Sequence, residues 1–440
     1  MNHSSIRTRV RRPVAPLLVL LGVLPGLALV PSARAQSTPD APASPGVTAA
    51  LGANEADLLQ YAEAHHPALA AALVEREASV ARREAAGKFE DPMLELELRD
   101  IPRDSPTLSP ARAGSTRYLF SQRLPAWGKR SLQQQIAGSD VDRAGAQAAE
   151  ARLELRQQVR SAYAARWAAG RSLQAIDELE RTLDALGQLA RSRYAAGLAP
   201  QQDAIRAAVE RTGLARRRLA LEAAAAEAAS NLNAALARDL DAPLAAPVEA
   251  PAAIAVPPLA GLRARQDAAN PALAAAAAEV ERARVAAQLT RRNRYPDLVL
   301  GVAPIQQGNA LEAWDLMLSV SLPLQWGRRH AEEREARLTS DAATLRRAAL
   351  GIALAGEVGG EWTQWRNASR QAEVIETTLL PQSEANYRSA LGSYKVGEVD
   401  FGTLLEALRQ CTTSRLDLID LRLETQLRAT RIARLTGETP

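Results

Sequence analysis

Two hydrophobic periods take turns along the chain. Met93-Leu94-Glu95-Leu96-Glu97-Leu98-Arg99 alternates strictly, so an extended backbone puts the leucines on one side and Glu95 and Glu97 on the other. Within Thr116 to Leu124, Tyr118, Phe120 and Leu124 share a face opposite Arg117, Ser121 and Arg123. The same period returns in Leu298, Leu300 and Val302, opposite Val299, Gly301 and Ala303. It returns again in Trp314, Leu316, Leu318, Val320 and Leu322, opposite Asp315, Met317, Ser319 and Ser321. The pattern predicts two strand pairs, with loops over Asp100–Gly114 and Gln306–Glu312. Each strand is roughly 8–11 residues long, close to the ~9–11 residues that a tilted strand needs to cross a bilayer.

The remaining pattern is helical. From Gly128 to Arg193 the chain is nearly free of breakers, and Ile176, Leu179, Leu183, Leu186 and Ala190 follow the spacing of a coiled-coil seam. At the α-helical rise, some 65 residues reach ~100 Å. Gly197 suits a helix C-terminal turn, and Pro200 suits the first turn of a returning helix. A second long helix is predicted from Gly327 to about Ser393, with a kink or break at Pro381. After a turn at Gly397 it returns with Leu416, Ile419, Leu423 and Leu427 on one stripe. Gly128 and Gly327 stand where the chain would swing from strand to helix.

The chain is written twice. His66-Pro67-Ala68-Leu69 recurs as Asn270-Pro271-Ala272-Leu273, and Pro92 recurs as Pro296, both 204 positions later. Leu124-Pro125-Ala126-Trp127-Gly128-Lys129-Arg130 recurs as Leu322-Pro323-Leu324-Gln325-Trp326-Gly327-Arg328-Arg329, with the tryptophans 199 apart. Tyr194-Ala195-Ala196-Gly197 recurs as Tyr394-Lys395-Val396-Gly397, 200 positions on. The expected organisation is a first repeat over 54–240, a Pro-rich connector over 241–260 and a second repeat over 261–440. Each repeat holds a helical segment, a strand pair and a long helical hairpin.

Composition changes the picture mainly at the N-terminus. Arg7 to Arg12 precede an apolar, proline-broken stretch from Val14 to Val30, and Ala33-Arg34-Ala35 reads as a cleavage site. Residues 1–35 are therefore expected to be a signal peptide, followed by a Pro/Ala/Ser-rich linker over 36–53. The 440-residue chain has a formal charge of +4, but 1–35 holds five arginines and no acid, so the remainder is near −1. Nucleic acid loses its electrostatic support as a partner. One cysteine, Cys411, excludes an internal disulfide framework, and its Leu/Thr helical setting predicts a packed small hydrophobe. After residue 35 no apolar run reaches the length of a transmembrane helix.

Edges cannot stay unpaired in hydrocarbon, and known single-chain outer-membrane barrels have at least eight strands. Four strands per chain therefore predict an oligomer that shares one barrel. The alternative is a soluble periplasmic coiled-coil adaptor or scaffold in which the strands merely cap a helical rod. Export, the Leu/Trp faces and the tryptophans at strand ends favour the barrel.

The exported, twofold plan of strand pair, Leu-Pro-x(1–2)-Trp-Gly-Lys/Arg-Arg and long hairpin resembles the TolC family of outer-membrane efflux ducts. The likeness covers nearly the whole chain after the leader and is strongest at Gln122–Arg130, Arg193–Ala207 and Tyr394–Ala407. Leu124 to Arg130 looks most similar to the CzcC-type, heavy-metal-associated branch. The resemblance implies a mainly α protein with a small β part. It implies a homotrimer with a 12-stranded transmembrane barrel, four strands per chain, continued by an α-helical barrel across the periplasm. It also implies docking to a periplasmic adaptor and an inner-membrane RND-type pump, contact with outer-membrane lipid, and passive conduction, here of heavy-metal cations.

The resemblance further suggests roles for residues. The family's second tip carries acids six and nine positions after its glycine; here those positions are Thr403 and Glu406. Glu406 would give a trimer a ring of three carboxylates at the periplasmic gate, with Asp203 in the equivalent place on the first tip. Tyr194, Gly197, Tyr394 and Gly397 would form tips that contact the adaptor. Glu95, Glu97, Asp315 and Ser319 would line the barrel lumen, and Trp127 and Trp326 would anchor it at the interface. No metal or other cofactor is expected: His65 and His66 are adjacent, a spacing that does not place two ligands on one helix face. Phosphate-binding, zinc-hydrolase and serine-hydrolase motifs are missing, so enzymatic chemistry is not expected.

Overall fold

The computed structural model of the chain describes residues 51–101, 103–104, 106–125 and 128–438. The expected signal peptide, most of the linker and Trp127 lie outside them. Two short helices, α1 (Glu55–His65) and α2 (Pro67–Ala86), lead into strands β1 (Met93–Arg99) and β2 (Ser115–Leu124). A hairpin of very long helices follows, α3 (Lys129–Ala195) and α4 (Gln201–Ala235). The order repeats with α5 (Leu259–Ala269), α6 (Pro271–Arg292), β3 (Leu298–Gln307) and β4 (Ala310–Val320). The second hairpin is α7 (Trp326–Val374), α8 (Leu380–Val396) and α9 (Phe401–Thr436).

The repeated His/Asn-Pro-Ala-Leu signature has a capping role. The His66 Nδ1 accepts the Ala68 N–H at the start of α2, and the Asn270 side chain accepts the Leu273 N–H at 3.0 Å at the start of α6. Proline then occupies the first helical turn, where no N–H is needed. The kink expected at Pro381 is a single π-helical turn over Ile375–Leu379, which absorbs the missing amide between α7 and α8.

The two strand pairs form one antiparallel sheet in the order β1-β2-β3-β4. Pairing of Phe120 with Val302 and of Leu124 with Leu298 joins the repeats side by side. The outer edges of β1 and β4 have no partner among the described residues. The strand pattern was legible, but the loop expected over Gln306–Glu312 shrinks to a two-residue turn. Gly308, at φ +55°, takes the left-handed backbone that such a turn demands, so β3 and β4 run further than the alternation indicated.

The two strand-to-helix swings differ. Gly128 makes the first in the left-handed region, at φ 78°. Gly327 was expected to make the second but already lies inside α7, and the chain turns at 321–325 instead. The first helix after the connector also begins early, since α5 starts at Leu259 within the stretch expected to be non-helical.

Three apolar clusters hold the helices together. Near the hairpin ends, Ile176, Leu183, Leu186 and Ala190 of α3 pack with Leu404, Leu405, Leu408 and Leu416 of α9, as the coiled-coil spacing required. Tyr163, Leu58, Leu69 and Leu232 form a second cluster, and Leu262, Val358, Ile432 and Leu435 a third. The stripe predicted on α9 holds only in part. Leu416 is buried, but Leu423 and Leu427 are half-buried and line an open groove with Gln157 and Ser161 of α3.

Strands and helices are locked together at one partly buried ion cluster. The Lys129 ammonium donates to the Tyr295 carbonyl and to Asp297, each at 2.8 Å, and Arg123 donates to the other oxygen of Asp297 at 3.0 Å. Burial raises the pKa of the Asp297 carboxyl, but Lys129 and Arg123 outweigh it and hold the group below its ordinary value near 3.8. A carboxylate whose folded pKa is depressed stabilises fully above the unfolded value and loses that contribution as pH falls through the folded one. Lys129→Met and Asp297→Asn are each expected to cost about 1.5–3 kcal/mol. On acidification below about pH 4, the thermal unfolding midpoint of the wild type should fall further than that of Asp297→Asn.

Candidate functional site

Two regions present organised chemistry: the faces of the sheet and the ends of the helical hairpins. On one face of the sheet Leu94, Leu96, Phe120, Leu300, Trp314, Leu316 and Leu318 are all exposed, Leu316 at 87%. The register of the three strand pairings puts them side by side. Such a contiguous apolar surface needs a non-aqueous or protein partner.

The opposite face is polar and carries an ion network. Arg117 of β2 reaches Glu97 of β1 at 3.7 Å and, across β3, Asp315 of β4 at 3.3 Å. The buried Ala303, paired with Asp315, leaves room for that reach over β3. Arg99 donates to Glu97 at 2.9 Å. Glu95 and Ser319 lie exposed on this same face. The face was read from its acids; Arg117, which balances two of them, was missed as their counter-charge although its place in the alternation was visible.

At the hairpin ends, Gly197 and Gly397 turn the chain at φ 71° and 87°, as their spacing required. Both are exposed, together with Tyr194 and the apolar Leu198 and Val396. Tyr394 departs from the expectation of a contact residue. It is 2% exposed, its ring 5.3 Å from that of Phe401, because the second turn packs it inward against α9.

Asp203 departs in the same way. It is 6% exposed and accepts a hydrogen bond from the Tyr394 hydroxyl at 3.3 Å, so it is sequestered between the hairpins and does not project as a solvated acid. Burial and the Asp203 carboxylate push the Tyr394 phenol above its usual range, which keeps it a donor at neutral pH.

Arg193, not singled out from the sequence, completes the clasp. Its guanidinium donates to the carbonyls of Tyr394 and Lys395 at 2.8 Å each and stacks over the Tyr394 ring at 5.0 Å. Its signal in the sequence was its place next to the first Tyr-x-x-Gly. A second tie joins α9 to α4, where Arg409 donates to Glu210 at 3.0 Å.

Thr403 is exposed, and its N–H donates at 2.7 Å to the Asp400 side chain that caps α9. That bond is the main reason the Asp400 carboxyl lies below its ordinary range. Glu406 is the acid that does project, with a side chain 75% exposed. Arg409 lies 3.6 Å from it on the same helix face, so its charge is partly countered. His65, rejected as a ligand, stacks on Tyr61 and bonds the Tyr61 carbonyl at 2.9 Å. Trp326 is 66% exposed at the strand-to-helix junction.

A family described as outer membrane efflux protein matches residues 58–238 and 264–438, both repeats of the fold. The chain belongs to that family. No curated protein sequence matches it. Among solved structures, the outer membrane protein VceC of Vibrio cholerae superposes with a TM-score of 0.73 at 18% identity, covering 87% of this chain and 96% of that one. The CmeC outer membrane channel of Campylobacter jejuni gives 0.71 at 14% identity, over 87% of this chain and 85% of its own. The open state of the MtrE outer membrane channel of Neisseria gonorrhoeae gives 0.71 at 15% identity, over 88% and 89%. The mainly helical fold with one small sheet is thus an efflux-channel fold, and this family consists of channels and not of known enzymes.

In this efflux-family chain the tip clasp is the feature with measurable local energetics. Arg193→Gln removes two charge-assisted bonds to carbonyls and should lower the local opening free energy by about 1–3 kcal/mol. The expected readout is faster amide exchange over Lys395 to Val399, with the α3 and α9 midsections unchanged.

Proposed function

We propose that the chain is the outer-membrane duct of a tripartite efflux assembly, a homotrimer that passively carries its substrate from a periplasmic adaptor and an inner-membrane RND-type pump to the exterior. The observation that carries this reading is the sheet: one face mostly apolar, with Gln122, Thr116 and Gln306 among its leucines, the other carrying the ion network, and both outer edges unpaired among the described residues. Three such sheets joined edge to edge give a 12-stranded barrel, which satisfies every edge amide and turns the Leu/Trp face to lipid. Glu95, Glu97, Asp315 and Ser319 then line the lumen, with Arg117 moderating their charge. Trp326 sits at the membrane–water interface.

The helices continue the conduit into the periplasm. Tyr194, Gly197 and Gly397, with Leu198 and Val396, form the surface offered to the adaptor. Tyr394 and Asp203 act behind it, holding the two hairpins of one chain together. Glu406 and the neighbouring Thr403 sit at the constriction, where three copies of the carboxylate attract cations. The heavy-metal assignment rests on the likeness of Leu124–Arg130 to the CzcC-type branch and on Glu406. Because Arg409 offsets Glu406, and Thr403 replaces the other acid, the duct selects cations weakly and leaves substrate choice to the pump.

Membrane fractionation tests the core of this reading. The mature protein should travel with the outer membrane and run as a trimer in unheated gels; a water-soluble monomer would establish the scaffold alternative. Glu406→Gln should reduce the cation-over-anion permeability ratio in planar bilayers, and an unchanged ratio removes Glu406 from the gate. Asp203→Asn and Tyr394→Phe each weaken a buried hydrogen bond of about 1 kcal/mol and should raise the frequency of open events.

A further inference from the structure

We propose that the arginines at the strand-to-helix junction form a docking surface for anionic phospholipid headgroups of the leaflet on the helix side of the membrane. This rests on the reading of the apolar sheet face as lipid-facing.

The start of α3, with Arg130, meets Asp297 through Lys129, and the end of α6, which precedes Asp297 and carries Arg291 and Arg292, shares a groove with the start of α7 and its Arg328 and Arg329. Arg328 and Arg329 pair with Glu332 at 2.7 and 3.8 Å. Arg130, Arg291 and Arg292 have no carboxylate within ion-pair distance among the described residues. Arg291 and Arg292 sit at a helix C-terminus, where the dipole favours cations, so their position alone means little.

The starts of α3 and α7 are different. Neither has an acid in its first turn or a side-chain cap, and each instead carries a basic pair, Lys129–Arg130 and Arg328–Arg329, against the dipole. Lys129 is committed to Asp297, and Arg328 and Arg329 share the single carboxylate of Glu332, so Arg130 and the excess charge of the second pair lie where an external anion would relieve the dipole and their repulsion. Arg328 and Arg329 also line, with Arg282, Thr290 and Asn293 on the α6 side and Glu332 and Glu335 of α7, one groove of about 460 Å³.

The neighbours of these cations point to lipid as the source of that anion. Arg130 stacks on the half-exposed Phe89 ring at 3.9 Å, and Arg292 lies 5.9 Å from the Tyr295 ring. Leu322 and Trp326 are exposed directly between this belt and the apolar face of β4. Aromatic and basic side chains at one end of an apolar band match headgroup depth, with the phosphodiester beside arginine and the acyl chains against leucine. The other end of the sheet lacks the pattern. The β3–β4 turn, residues 306–313, has no Lys or Arg, and the β1–β2 loop balances Arg103 and Arg112 with Asp100 and Asp104.

The test uses the full mature chain reconstituted in vesicles of phosphatidylcholine with phosphatidylglycerol, extracted for native mass spectrometry. The wild type should retain phosphatidylglycerol over phosphatidylcholine by about tenfold, and the preference should shrink with added salt. The quadruple variant Arg291→Gln/Arg292→Gln/Arg328→Gln/Arg329→Gln should bring it near unity, whereas the same four positions changed to Lys should keep it. A wild type that inserts without preference, a glutamine variant that keeps it, or displacement of the lipid by inorganic phosphate overturns the proposal and leaves the membrane reading standing. Failure of the wild type to enter vesicles of either lipid overturns both. Should the glutamine variant not fold, the salt dependence of the wild type and the lysine variant decide between the same outcomes.

Discussion

A backbone amide at the edge of a sheet needs a partner, and hydrocarbon supplies none. Among the described residues β1 and β4 leave their outer edges open, while the face they share with β2 and β3 is dominated by leucine, phenylalanine and tryptophan. Water would be a tolerable partner for the edges but a poor one for the face; lipid would suit the face but not the edges. Joining copies of the chain edge to edge answers both demands. The twofold repeat contributes to this solution, since pairing β2 with β3 already supplies four strands in one register.

The sheet is useful only if it is aimed correctly at the helices, and a few charges do the aiming. Lys129, Arg123 and Asp297 bind the start of the first long helix to the start of the second strand pair. Removing Asp297 leaves the buried Lys129 ammonium without a carboxylate, which is why the cluster constrains geometry more strongly than an exposed ion pair would. At the far end the ties are of another kind. Arg193 grips carbonyls, Tyr394 bonds Asp203, and Arg409 holds Glu210, so the two hairpins of a chain are linked by a few directional contacts beyond a shared leucine core. Such contacts can break singly while the leucine seam persists, as the proposed opening of this end would require.

Charge along the conduit is arranged with similar economy. Acids on the polar face of the sheet are countered by Arg117, and Glu406 at the tip by Arg409. In the proposed duct, a lumen lined this way would stay wet without holding any one ion tightly.

Periodicity in the amino-acid sequence by itself determined the strands, the long helices, their turns at Gly197 and Gly397 and the twofold plan, because each is a local consequence of side-chain spacing and backbone freedom. The alternation at 93–99 and the seam from Ile176 to Ala190 could hardly be read otherwise. What only the tertiary structure decided is which polar groups meet. Asp203 and Tyr394 read as exposed tip residues by their distance from a glycine, yet hairpin packing turns both inward to each other. Arg117 and Arg193 carry no local sign of a role, yet strand register and helix crossing bring distant carboxylates and carbonyls to them. Partners 191 or 201 positions apart leave no mark on local spacing; they are set by the way the helices and strands pack.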